Sequence, residues 1–163
     1  MQLNNIIIGA IIIVICIVPF ILLGQGKKKR KRKILESLNN IANQHDCTIG
    51  KHEICGDFII GIDETKKAVF FMKQLAEKTV EQYVNLLEIA NCKARTTARA
   101  VEFGNGSQSV IEKLELSFIP IDKNKKEISF EFFNTDISSQ LIGELQSIEE
   151  WSKLINDFIK NKK

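Results

Sequence analysis

The amino-terminal segment constrains this chain most, because it is long and apolar enough to cross a bilayer. No charged side chain occurs in residues 3–23, and the stretch from Ile6 onward is almost entirely aliphatic. As a helix, these 21 residues span about 31 Å, which matches a hydrocarbon core of about 30 Å. The sequence therefore predicts a transmembrane helix anchor, assigned to residues 1–26.

A run of seven consecutive basic residues follows the apolar segment and predicts its orientation. The run consists of Lys27, Lys28, Lys29, Arg30, Lys31, Arg32 and Lys33. Because Lys and Arg are enriched on the cytoplasmic side of membrane helices, we expect a single-pass protein of the cell (inner or plasma) membrane, with the amino terminus outside and the remaining chain cytoplasmic. We also expect the run to contact anionic headgroups, since each cation at such a surface contributes about 1 kcal/mol.

A cleaved signal peptide is the main alternative for the amino-terminal segment. Gly24 and Gly26 have the small-x-small spacing of a cleavage site, so the sequence leaves this alternative open. However, no Lys or Arg precedes the apolar stretch, and the seven that follow would resist translocation. A lipoprotein anchor is disfavoured, because Ile15 rather than a small residue precedes Cys16.

The rest of the chain is mildly acidic, although the whole chain has a net charge of +3. Outside the basic run, 16 of the 23 basic residues remain against 20 acidic residues, a net charge of about −4. Such a domain lacks the basic surface that nucleic-acid binding requires, so we expect no nucleic-acid partner. Cys47, Cys55 and Cys92 are odd in number and form no CxxC pair, which is typical of reduced cytosolic thiols.

Hydrophobic periodicity changes from helical to strand spacing near residue 48. An amphipathic helix is predicted over residues 33–44, within a juxtamembrane segment of residues 27–47. Whether it continues the membrane helix or packs on the following domain stays open. Beyond it, short alternating runs bounded by turn residues predict about seven strands. They lie within residues 49–55, 58–62, 68–72, 80–97 (one or two strands, interrupted near 86–89), 114–118 and 128–132.

The carboxy-terminal residues predict one amphipathic helix. Ser147 and Glu150 have the spacing of a capping box, in which the serine hydroxyl accepts a hydrogen bond from the Glu150 amide. An apolar stripe at spacings of three and four follows, formed by Ile148, Trp151, Leu154, Ile155, Phe158 and Ile159. The expected fold class is α+β and mainly β: a transmembrane helix, then a seven-stranded antiparallel barrel or sandwich closed by a carboxy-terminal helix.

Four short segments occur in an order that is shared with a known domain family. They are Gly61-Ile62-Asp63-Glu64, Lys66-Lys67-Ala68-Val69-Phe70-Phe71, Val84-Asn85-Leu86 leading to Ile89 and Cys92, and Ile148-Glu149-Glu150-Trp151. This order resembles bacterial pleckstrin-homology-like (PH-like) domains over roughly residues 48–160. The resemblance implies that residues 48–163 form a bent antiparallel barrel of seven strands with a helix at one open end. Eukaryotic members bind phosphoinositides through basic residues of the first hairpin loop, whereas Gly56-Asp57 is short and acidic here, so no lipid-binding residue is carried over.

Both histidines and two cysteines lie close together in the sequence and raise the question of a metal site. Five potential ligands fall within eleven residues, namely His45, Asp46, Cys47, His52 and Cys55. Their spacing matches no zinc finger or ribbon, and strand alternation points His52 and Cys55 to opposite faces. Because no histidine lies elsewhere, a catalytic partner for Cys92 is also disfavoured. We therefore predict no metal ligand, no cofactor and no catalytic residue.

Two other motifs are interpreted as ordinary surface. Residues 104–107 are glycine-rich but lack the Lys-Ser/Thr ending of a phosphate loop, which favours a hairpin loop. Lys93, Arg95 and Arg99 occupy one strand, where a solvated face is favoured over an anionic partner. The sequence thus predicts a non-catalytic interaction module at the inner leaflet, with an unidentified protein partner. A lipid or small-ligand binding domain, and a thiol or metal hydrolase around residues 47–55, are the alternatives.

Overall fold

The computed structural model describes residues 29–103 and 106–161. The predicted transmembrane helix and the first two residues of the basic run, Lys27 and Lys28, lie outside these ranges. Within them, no helix combines the length and the apolar character needed to cross a membrane. The described chain divides between Ser37 and Leu38 into two units.

The first helix, α1, covers residues 29–44. This confirms the helix predicted over residues 33–44 and adds four basic residues in front of it. All side chains from Lys29 to Lys33 are exposed. Arg32 lies 3.7 Å from Glu36 one turn later, a pairing of two exposed side chains that contributes little to stability.

Seven antiparallel strands form two sheets, and neighbouring strands follow one another in the sequence. The first sheet contains β1 (Lys51–Cys55), β2 (Phe58–Asp63), β3 (Ala68–Gln74) and β4 (Thr79–Asn85). The second contains β5 (Ile89–Phe103), β6 (Gly106–Pro120) and β7 (Ile128–Asn134). A 3-10 turn, Leu86–Glu88, separates the sheets along the chain, and the helix α2 (Glu144–Lys160) follows them.

The predicted number of strands is confirmed, and the interruption near residues 86–89 is the 3-10 turn. Two details differ from the prediction. The strands hydrogen bond in two separate sheets, so no closed barrel is seen in the described part of the chain. β5 extends to Phe103 and β6 begins at Gly106, so Gly106 and Ser107, which were predicted in the loop, belong to a strand. Alternation did not reveal this extension, because no apolar face marks it.

Aromatic side chains of the two sheets form the centre of the core. The ring of Phe71 lies 4.9 Å from that of Phe130 and 5.7 Å from that of Phe132. Phe58 of β2 lies 4.5 Å from Phe132. Such pairs contribute about 0.5–1.5 kcal/mol each beyond the burial of their area. The predicted inward faces of residues 58–62 and 128–132 are therefore confirmed where they meet.

A buried ammonium group also links the sheets. Lys73 of β3 is only 3% exposed, and its Nζ lies 3.3 Å from a carboxylate oxygen of Glu131 on β7. Asp57 provides a second carboxylate at 3.9 Å. A buried charge remains charged at low cost only when it is paired and hydrogen bonded, so these two acids fix the position of Lys73.

The outer face of the first sheet is covered as well. Every residue of β2 is buried, including those that point away from the aromatic core. At Gly61, an added Cβ would lie 2.9 Å from both Leu38 Cδ2 and Ile49 Cγ2. The part of α1 that starts at Leu38 therefore packs on the domain, and only glycine at residue 61 allows this approach.

Replacing Gly61 with alanine is expected to lower the free energy of unfolding by about 1–3 kcal/mol, because Leu38 and Ile49 must move to admit the methyl group. Gly50→Ala is the matched control, since its nearest atom would be 3.8 Å away, an ordinary contact. Urea unfolding of the full chain, followed by the fluorescence of its single tryptophan, measures both. Equal stability of the two variants would contradict this account.

Asp63 ties the end of β2 to the entrance of β1. Its Oδ2 accepts a hydrogen bond from the Thr48 amide at 2.7 Å. Its Oδ1 accepts from the amides of Thr65 and Lys66 at 2.8 and 2.9 Å. Burial opposes the charged form, but these three donors outweigh it and hold the pKa of Asp63 below its ordinary value.

Replacing Asp63 with asparagine is expected to cost about 1–3 kcal/mol near neutral pH, because an amide has one acceptor oxygen and presents an NH₂ group to a backbone donor. The carboxylate stabilises the fold above its ordinary pKa of 3.8, and this stabilisation is lost as the pH falls through the lower pKa of the folded state. The difference in free energy of unfolding between the native chain and Asp63→Asn should therefore become smaller in acid. Urea unfolding over a pH series measures it, with the exposed neighbour Glu64→Gln as control. A deficit that stays constant into acid would contradict the role of the charge.

The capping box predicted at Ser147 is wrong. α2 begins at Glu144, behind Gly143, which has φ 132 and provides no side-chain cap. The Glu144 carboxylate instead turns back and accepts a hydrogen bond from the Ile142 amide at 2.5 Å. Because the chain enters the helix one turn earlier than predicted, Ser147 lies inside it, and its amide donates to the Gly143 carbonyl at 3.0 Å. The apolar stripe is confirmed on its inner face, where Ile148, Trp151 and Ile155 are buried.

Candidate functional site

A cavity of about 350 Å³ lies between β1 and the first turns of α2. We call it the β1–α2 cavity. Its lining residues come from the end of β1 and the turn after it, and from the start of α2 and the two residues before it. They are Glu53, Ile54, Cys55, Gly56, Ile142, Gly143, Gln146, Ser147 and Glu150.

The β1–α2 cavity is negatively charged. Glu53 and Glu150 line it, and no Lys, Arg or His is among its lining residues. Glu144 borders it, because a Cβ added to Gly56 would lie 2.9 Å from the Glu144 carboxylate. Burial, together with the charges of Glu144 and Glu53, raises the pKa of the Cys55 thiol to about 11. Burial is the larger cause of this shift; the charges of Glu144 and Glu53 add to it, and these charges favour a cation in the cavity.

Both lining carboxylates are held in position by hydrogen bonds. Trp151 Nε1 donates to Glu53 Oε2 at 2.6 Å. Gln146 Nε2 donates to Glu150 Oε1 at 2.8 Å, across one turn of α2. A carboxylate has two oxygens that each accept more than one hydrogen bond, so both groups retain capacity for a further donor.

Ser147 is one of the residues that line the cavity, and its hydroxyl group is buried. The residue is 2% exposed. Its Oγ has no hydrogen-bond partner among the described residues. Leaving such a group unpaired costs about 1–3 kcal/mol, and buried hydroxyl groups in native proteins are normally satisfied.

The second surface feature is a two-stranded ribbon, which we call the β5–β6 arm and define as residues 98–103 and 106–111. β7 pairs with β6 only between Lys113 and Phe118, whereas the pairing of β5 with β6 continues to Phe103 and Gly106. Side chains of residues 98–100 and 108–110 are exposed. β5 has a strand neighbour on one side only in the described sheet.

The helix α2 occupies the free edge of β5 at a single residue near the body of the domain. The Cys92 amide donates to Asn156 Oδ1 at 3.0 Å. In return, Asn156 Nδ2 donates to the Cys92 carbonyl at 2.7 Å. The side chain of Asn156 thus replaces a partner strand at this position. Further along β5, no hydrogen bond from α2 to the strand is seen among the described residues.

The basic residues predicted as a stripe on β5 are exposed, and two of them have acidic partners. Arg95 pairs with Glu127 at 2.7 Å and Arg99 with Glu112 at 3.1 Å. Lys93 is exposed. A solvated strand face, as the sequence favoured, agrees with this arrangement. Of the basic run predicted to contact the membrane, Lys29 to Lys33 are exposed on α1, and their contact with headgroups stays a prediction.

The residues that suggested a metal site are dispersed. His45 stacks on Tyr83 with ring centroids 4.2 Å apart, and Cys47 is buried. His52 is exposed, while Cys55 faces the β1–α2 cavity. Within residues 29–103 and 106–161, no three His, Cys, Asp or Glu side chains are grouped as metal ligands would be.

The three described thiols are poor nucleophiles near neutral pH. Burial raises the pKa of Cys92 to about 12. Burial, with the charge of Asp63, also raises the pKa of Cys47. Catalytic cysteines require the opposite shift, which a nearby cation or a helix amino terminus produces.

Comparison with protein-family models, with curated proteins and with solved structures found no match for this chain. Sequence reasoning missed the β1–α2 cavity, because Glu53 and Trp151 are 98 positions apart and no local motif connects them. Its one local signal was Ser147 with Glu150, which was interpreted as a helix cap.

Alkylation of Cys55 tests the negative potential of the cavity. Glu144→Gln removes a charge that raises the Cys55 pKa, so the thiolate fraction at about pH 8, and with it the alkylation rate, should rise by up to about tenfold. Glu149→Gln, an exposed position on the same helix, serves as control and should leave the rate unchanged. Peptide mapping by mass spectrometry after timed treatment with iodoacetamide gives the rate. Equal rates in both variants would show that Glu144 does not act on Cys55.

Proposed function

We propose that this chain is a membrane-tethered interaction module without catalytic activity, which holds a PH-like domain at the cytoplasmic face of the cell membrane. The observation that carries the proposal is the β5–β6 arm. A two-stranded ribbon is at best marginally stable in water, so an arm that leaves its sheet adds little to the stability of the domain. Because the β5–β6 arm adds little to stability, its role is to contact a partner.

The arm offers backbone groups for strand addition. An exposed edge strand is a template for pairing, and peptide segments commonly bind proteins by adding to such an edge. Arg99 in the arm and Arg95, three residues before the arm begins on β5, are each paired with a glutamate and place charge along this strand. Charge on an edge strand discourages unselective association, which favours a specific partner over aggregation.

The topology supports the PH-like part of the proposal. Four strands and then three strands follow one another as antiparallel neighbours, and one helix ends the domain. Seven antiparallel strands followed by one helix is the order that the resemblance in the sequence implies, although that resemblance also implies a barrel. Fold alone does not define an activity, so the arm, and not the resemblance, carries the proposed function.

The tether is supported by the order of the apolar and basic segments. Residues 3–23 are uncharged and match the thickness of a bilayer, and seven cations follow. The five cations of that run on α1 are exposed to solvent, as contact with headgroups requires.

Protease added to intact cells should leave the domain undigested if it lies on the cytoplasmic side of the membrane. Digestion in the region of residues 118–158 would place the domain outside.

Site-specific cross-linking in cells tests the interaction. A photoreactive benzoylphenylalanine at Ala98, in the arm, should give a discrete cross-linked species, because the arm is the proposed contact. The same group at Lys123, in the exposed turn between β6 and β7, is the matched control and should give none. Reversing Arg95 and Arg99 to glutamate should reduce the yield several-fold, since charge complementarity sets encounter rates. No cross-linked species at Ala98 would refute the proposal.

A lipid or small-ligand binding domain is the second candidate, favoured by the β1–α2 cavity, which has room for a small ligand. It predicts that the soluble part of the chain from Ile34 onward, which lacks both the anchor and the basic run, still binds anionic vesicles or retains a ligand. Vesicle flotation and intact mass measurement separate it from the first proposal. Flotation that requires the basic run, together with the mass of the bare chain, would leave the interaction module as the better account.

A further inference from the structure

We infer that the β1–α2 cavity binds the cationic side chain of a lysine or arginine carried by an extended segment of the partner protein. This inference rests on the proposed function and deepens it, because it names the chemistry of the partner. The cavity lies apart from the β5–β6 arm in the fold: β1 and α2 line it, and neither strand of the arm does. It therefore provides a second, chemically selective contact.

Charge selects the kind of ligand. Glu53 and Glu150 line the cavity, Glu144 borders it, and no basic side chain of the lining neutralises them. An anion would be repelled by all three groups. A guanidinium or ammonium group brings several N–H donors, which match the acceptor oxygens that Glu53 and Glu150 retain after accepting from Trp151 and Gln146.

The unpaired hydroxyl group of Ser147 is a second and independent indication of a ligand. It is buried at the wall of the cavity and has no partner within the described chain. In a helix, a serine hydroxyl commonly donates a hydrogen bond to the carbonyl four residues earlier. Here the Gly143 carbonyl accepts from the Ser147 amide but not from its hydroxyl group. A donor group that enters the cavity would satisfy the Ser147 oxygen.

Apolar surface at the mouth distinguishes a side chain from a bare inorganic cation. Ile142 lines the cavity and is 74% exposed, an unusual position for a large aliphatic residue. Ile54 lines the opposite wall. Lysine and arginine have long apolar stems that pack on such surface while the charged end reaches the carboxylates. A metal ion makes no use of these isoleucines.

The edge of β1 favours a polypeptide as the carrier of the cation. In the described sheet, β1 has a strand neighbour on one side only, β2. Glu53, Ile54 and Cys55 belong both to this strand and to the cavity wall. A segment that runs beside β1 in extended conformation would direct alternate side chains toward the cavity, and its own amides would pair with the edge.

Nuclear magnetic resonance of the full ¹⁵N-labelled chain in detergent micelles tests the inference. The probes are three acetylated, amidated peptides of sequence Thr-Val-Xaa-Val-Thr, in which Xaa is lysine, arginine or norleucine. Trp151 is the only tryptophan, so its single indole N–H signal reports on Glu53 directly. The lysine and arginine peptides should shift this signal and the Ser147 amide signal to saturation. The norleucine peptide, which keeps the stem without the charge, should bind at least about tenfold more weakly.

Variants locate the binding on the cavity. Glu53→Gln and Glu150→Gln should each weaken binding of the lysine peptide several-fold. Glutamine still accepts a hydrogen bond from the neighbouring donor but carries no charge. Glu149→Gln, exposed on the same helix, is the matched control and should bind as the native chain does. Equal binding of the norleucine and lysine peptides, or no saturable shift with any peptide, would overturn the inference. Binding of n-butylammonium as tight as that of the peptide would assign the cavity to a free amine and overturn the polypeptide carrier.

Failure of this inference is distinguishable from failure of the proposed function. If cross-linking at Ala98 persists in Glu53→Gln while no peptide binds, the interaction module stands and the cavity is not a lysine or arginine site. If the lysine peptide binds selectively but Ala98 gives no cross-linked species, the cavity assignment stands and the role of the arm is refuted.

Discussion

The domain depends on a first sheet that is packed on both faces. On the inner face, Phe71 contacts the phenylalanines of β7, and on the outer face the helix from Leu38 onward lies against Gly61. Because β2 and β3 are covered on both sides, they are the best-anchored strands, and the peripheral strand β1 is fixed through them. The position of the β1–α2 cavity follows from this arrangement, since one of its walls is β1 and the other is a helix that rests on the core.

Most of the strand pattern was predictable, because alternation is visible wherever one face of a strand is buried. The extension of β5 and β6 was not predictable. Residues 98–100 and 108–110 are exposed on both faces of the ribbon, so apolar and polar residues do not alternate there. The start of α2 was misplaced by one turn because Ser147 and Glu150 match a capping box, whereas the helix begins at Glu144 without a side-chain cap. Burial of Lys73 was equally invisible, because its carboxylate partner Glu131 lies 58 positions away.

The candidate site was predictable only in its individual residues. Cys55 and His52 drew attention as possible ligands, yet the structure gives Cys55 a raised pKa among carboxylates rather than a place beside a metal. Glu53 carried no signal at all in the sequence, since an acidic residue on an edge strand is ordinary. Only the fold brings it to Trp151 and the first turns of α2. Sites of this kind are made by tertiary packing, which local patterns do not encode.

The side chain of Asn156 sets a limit on how a partner strand can be seated along β5. It occupies both backbone groups of Cys92, so an incoming strand that starts near the tip has to stop before that residue. α2 thereby limits an added strand to the outer part of β5, the eleven residues from Lys93 to Phe103. The register of an added strand would be set at this stop, close to the core of the domain.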